Sequence, residues 1–186
     1  IDLLEVVSIL GCNEPSACNY DETANVDNGS CTYPEAGYNC DGIPLEFVYH
    51  QSQLQAFYTF YSVTINHVDV DSSDWVGVFK DNVCVGALKW DTSLCNSGVC
   101  SVVASGDENS EGTTGYLIPG DIPSFKIFDA SDNKYYDAVV TGNWTDQNGN
   151  SINGNWNNGG LIFADNLQNM ILGCTDVNAC NYNDIA

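Results

Sequence analysis

The spacing of apolar positions changes character near Pro44. From there on, short runs of aromatic and β-branched residues alternate with turn formers, which is strand patterning. "LEFVYH" (45–50), "QAFYTFYSVTI" (55–65), "WVGVFK" (75–80) and "VCVGALKW" (83–90) read as strands, the last two joined by the two-residue hairpin signal Asp81-Asn82. "SFKIFD" (124–129) and "KYYDAVV" (134–140) flank a second hairpin at 130–133, and "YLI" (116–118) and "GLIFA" (160–164) are further strand candidates. No segment carries a helical stripe of apolar positions. Several short strands at this spacing predict a mainly β fold, an antiparallel β-sandwich.

Residues 11–42 lack this patterning. They hold Cys12, Cys18, Cys31 and Cys40 and several acids, without a lysine. A segment of this size cannot bury a core of its own, so covalent staples or bound ions must hold it. The opening of this segment returns at the other end of the chain. At an offset of 162, "ILGCNEPSACNYDETA" (9–24) aligns with "ILGCTDVNACNYNDIA" (171–186), with nine of sixteen positions identical. Recurrence at a fixed period is the mark of a tandem array. The expected organisation is therefore the end of a preceding repeat at 1–10, a Cys-rich connector at 11–42, the sandwich at 43–172 and the start of the next connector at 173–186.

Charge narrows the function. Twenty-five acids against four lysines and no arginine give a formal net charge of −21. Nucleic-acid binding and attraction to anionic membranes both need a basic surface, and this chain has none. No apolar run has the length of a membrane span, so direct membrane insertion is not expected. With 44% apolar residues the chain can build a core, so the charge is not a sign of disorder. Nine cysteines without a CxxC pair, and with His50 and His67 distant from the cluster, favour disulfides over zinc and an extracellular location.

Four side chains in the connector, Asn19, Asp21, Asn25 and Asp27, alternate in a short segment that turns at Asn28-Gly29. Their oxygens suit a hard cation, and calcium is the expected structural cofactor. The segment is not an EF-hand, because the register and the twelfth-position Glu are missing. The competing reading is a solvated turn whose Asp and Asn bind backbone groups.

The phrase GC-x4-ACNY-x3-A-x2-D-x-GSC resembles repeats of large secreted or cell-surface proteins, notably of marine Bacteroidetes. It is loosely similar to thrombospondin type 3 calcium repeats, although Asn28 stands where those repeats more often carry Asp. "DWVGVFKDNVCVGALKWDTS" and "GYLIPGDIPSFKIFDASDNKYYDA" also resemble a β-domain of such proteins. The resemblance implies a secreted, repetitive surface protein and informs architecture more than mechanism.

Several features keep alternatives open. Four connector cysteines allow three pairings. Cys12 with Cys18 and Cys31 with Cys40 would let Cys174 close on Cys180, whereas crossed pairing would require partners beyond residue 186. Cys95 and Cys100 are expected to clip a loop, and Cys84, between Val83 and Val85, to be a buried thiol. Asp69, Asp71 and Asp74, and Asp107, Glu108 and Glu111, invite a glycosidase reading. Acids in turns are the simpler account, and no enzyme is expected. Trp75 and Trp90 are expected in the core. Trp144 and Trp156, in the polar stretch 141–160, are expected in an exposed loop as contacts to sugars or to a neighbouring repeat. Asn28-Gly29-Ser30 and Asn143-Trp144-Thr145 match the N-glycosylation triplet, with Asn143 the better-placed acceptor. The leading expectation is a repeat unit of an extracellular filament, stalk or giant adhesin, partnered by copies of itself or adjacent repeats. The alternative is a carbohydrate-binding module.

Overall fold

The computed structural model describes residues 7–171. Cys174, Cys180 and the repeat boundary at 173–186 therefore lie outside the described residues. The chain divides into two compact units, 1–45 and 46–186.

The first unit has little regular structure. Its strands β1 (Leu10–Gly11) and β2 (Val26–Asp27) form a short parallel pair. Two disulfides cross it, Cys12–Cys31 and Cys18–Cys40. The pairing is thus interleaved, and the sequential alternative, Cys12 with Cys18, is excluded. The backbone explains the choice. The parallel pair sets Gly11 beside Asp27, four residues before Cys31, and the Cys18 amide donates to the Thr32 carbonyl at 2.8 Å.

The second unit holds one mostly antiparallel sheet. Its strands are β3 (Gln55–Ile65), β4 (Val68–Asp69), β5 (Trp75–Lys80), β6 (Val83–Lys89), β7 (Cys100–Ser105), β8 (Ser124–Asp129), β9 (Lys134–Asp146) and β10 (Leu161–Asn169). The order is β4-β3-β10-β9-β8-β5-β6, with β7 also paired to β3. All pairs are antiparallel except β3 with β10, which run parallel. The sheet curls until β6 approaches β7. A Cβ built on Gly86 of β6 would lie 1.7 Å from the Val103 carbonyl oxygen, so only glycine allows this approach.

The curl forms two layers from one sheet, with the core between them. Tyr58 and Phe60 from β3, Val76 and Val78 from β5, Val102 and Ala104 from β7, Ile127 from β8 and Ile162 and Leu167 from β10 are all buried there. The β5–β8 region is buried on its outer face as well. "LEFVYH" does not form the expected strand. Instead a 3₁₀ turn at Leu45–Phe47 lets Phe47 pack edge-on against Phe79, Phe128 and Tyr135. Gly77 leaves the room for it, since a Cβ there would meet the Phe47 ring at 2.7 Å. Apolar content marked this segment as strand, but filling that hollow outweighed strand pairing. Likewise, "YLI" contributes only a bridge between Leu117 and Gly106, while Cys100–Ser105, not expected as a strand, becomes β7. No helix among the described residues is long and apolar enough to cross a membrane.

Candidate functional site

Each of the four side chains expected to hold calcium is engaged with backbone. Asn19 accepts from the Thr32 amide at 2.8 Å and donates to the Ser30 carbonyl at 2.7 Å. Asn25 accepts from the Ile9 amide and donates to the Val7 carbonyl, both at 2.9 Å. Asp21 accepts from the Thr23 hydroxyl and amide at 2.7 and 2.9 Å, and Asp27 from the Gly29 amide at 2.9 Å. The Thr23 hydroxyl, then its amide, hold the Asp21 carboxyl below the usual carboxylate range.

Two asparagines thus tie distant backbone segments together, and two aspartates close tight turns. Among the described residues no group of three or more His, Cys, Asp or Glu could hold a metal ion. The connector offers a covalent lock of two interleaved disulfides, reinforced by these bonds and by a Tyr33 hydroxyl donating to Glu14.

The tryptophans overturn the reading of 141–160 as a uniformly exposed loop. Residues 141–146 continue β9, and the remainder folds back over the core. Trp156 is 1% exposed, and its indole N–H donates to the Ala104 carbonyl at 2.9 Å. Gly106 makes room for it, because a Cβ there would lie 2.3 Å from the ring. Trp144 is half-buried, packed against Tyr58, Phe60 and Phe125. Gly154, at φ +74°, turns the chain beside that ring. Neither indole stands free as a contact platform. Of the two Gly-Asn-Trp triplets, only the glycine of the second makes room for an indole, Gly154 for that of Trp144, whereas Gly142 lies against Asp165. Trp90 is buried as expected, and Trp75 is half-buried.

The acid groups serve turns as well. Asp74 is buried and receives the Asp71 and Ala130 amides, at 2.9 Å each. Burial raises its pKa above the ordinary value. Glu108 receives the Gln53 amide at 3.0 Å and the Ser52 hydroxyl, and Asp107 receives the Asn109 and Gly115 amides. Asn143 is exposed, and its amide donates to Asp165 at 2.9 Å. Cys84 is a free thiol, 6% exposed, donating toward the Gly86 carbonyl, and burial pushes its pKa up to about 11. Cys95 and Cys100 are paired and clip the loop before β7.

Sequence reasoning missed the outer face of β3 and β10. Tyr61 is 60% exposed and stacks on Phe163 of the neighbouring strand, with centroids 6.4 Å apart and planes 23° from parallel. The alternation in "QAFYTFY" and "LIF" held the signal, but it did not say which face would be covered.

Compared with protein-family models, curated proteins and solved structures, the chain matches none of them.

Proposed function

We propose that the chain is a structural repeat unit of an extracellular filament, stalk or giant surface adhesin, locked at its connector by disulfides. The interleaved Cys12–Cys31 and Cys18–Cys40 pairs, in a phrase that recurs 162 residues later, carry this reading. A connector with almost no core gains stability from cross-links that restrict its unfolded chain, and an interleaved pair restricts it more than two separate small loops. The same cross-links would resist pulling and proteolysis along an array. The three disulfides support an oxidising, extracellular setting for such a repeat.

Electron microscopy of the native material, before and after a thiol reductant, tests the proposal. Regular threads with a constant repeat, which lose order on reduction, are the expected outcome. Separate, non-assembling particles in the unreduced sample would overturn it.

A further inference from the structure

The outer face of β3 and β10 carries an uncharged, aromatic groove on this acidic protein. Phe57, Tyr61, Leu161 and Phe163 floor an open groove of about 380 Å³, bordered by Asn96 and Ser101. No charged residue lines it. Asp165, two residues beyond Phe163, accepts from the Asn143 amide, and Asp69 lies in an adjoining hollow, with Val70 and Trp90, that shares Tyr61 with the groove. One border is constructed on purpose. The Cys95–Cys100 disulfide pins the loop bearing Asn96, where Ser97 and Gly98 take φ of +55° and +77°. The Ser101 hydroxyl is held by a 2.6 Å bond to the Thr59 hydroxyl.

We infer that this face binds a neutral polysaccharide, with pyranose rings laid on Tyr61 and Phe163. The negative faces of aromatic rings attract the weakly positive C–H edges of a sugar, and the exposed Tyr61 ring, supported by Phe163, offers such a face. Hydroxyl and amide groups at the border can meet sugar hydroxyls, giving the mix of apolar floor and few polar groups typical of ligand sites. Charge selects among partners. A chain at −21 repels acidic polysaccharides and, face to face, a second copy of itself, but it does not repel an uncharged glycan. The inference stands apart from filament formation, since a solitary domain could bind in the same way.

The test is affinity electrophoresis of the intact chain in native gels containing hydroxyethylcellulose, xylan, glucomannan or laminarin, with alginate as the acidic control. At least one neutral polymer should retard the protein, and alginate should not. Tyr61→Ala and Phe163→Ala should each weaken retardation about tenfold, with melting temperature unchanged, while Tyr61→Phe should retain it. No retardation by any neutral polymer, or retardation that survives both alanine variants, overturns the inference. So does a concentration-dependent dimer in sedimentation that Tyr61→Ala abolishes, because the face would then belong to a second copy.

Discussion

Trp156 shows how one side chain closes this fold. Its indole fills the space that Gly106 leaves open and satisfies the Ala104 carbonyl, so a segment rich in Asn and Gly is anchored by one buried ring. Trp156→Ala should destabilise the second unit by about 3–5 kcal/mol through the cavity and the lost bond, measured by urea denaturation. Carboxylates act at the same scale, in opposite directions. Asp71, Asp121 and Asp146 have pKa values below the ordinary 3.8, chiefly through bonds from the Ser73 hydroxyl, the Ile118 amide and the Asn150 side-chain amide. Their folded values are depressed, so their stabilisation is present above pH 3.8 and lost as pH falls through the folded values. Asp74 is reversed: its folded value is raised by burial, so its contribution favours the fold at low pH and is lost as pH rises through that value. The urea midpoint should therefore drop as the solution is acidified below about pH 4, and Asp146→Asn should make that drop shallower.

At the scale of elements, the two units rest on different forces. The second has a continuous apolar core, whereas the first depends on interleaved cross-links spanning 19 and 22 residues. Removing one of these pairs, as in Cys12→Ser with Cys31→Ser, should cost the first unit about 2–5 kcal/mol. Residues 11–42 should become open to protease while amides of β3 and β10 stay protected in hydrogen exchange. Loss of protection in β3 as well would show that the sandwich depends on the connector. Pattern reading succeeded where a segment's own residues decide its state: the hairpins at 81–82 and 130–133 and the strand 55–65 form as expected. It failed at 45–50, where the hollow over Gly77 is built by residues far away in sequence.

For the whole molecule, the charge of −21 should make stability rise with ionic strength, because screening weakens self-repulsion. Asn19, Asp21, Asn25 and Asp27 already bind backbone, so calcium and magnesium at matched ionic strength should raise the melting temperature equally. A rise specific to calcium and reversed by a chelator would restore the metal reading of those four residues.

Composition and local pattern alone determined the β class, the acidic surface, the stapled connector and its recurrence, since each depends on residue type and near neighbours. The disulfide pairing, the fate of both tryptophans and the aromatic face on β3 and β10 were decided only by the tertiary structure. Partners in those cases lie tens of residues apart, as with Trp156 and Ala104 or Tyr61 and Phe163, and which face of a strand is covered depends on what the curled sheet folds against.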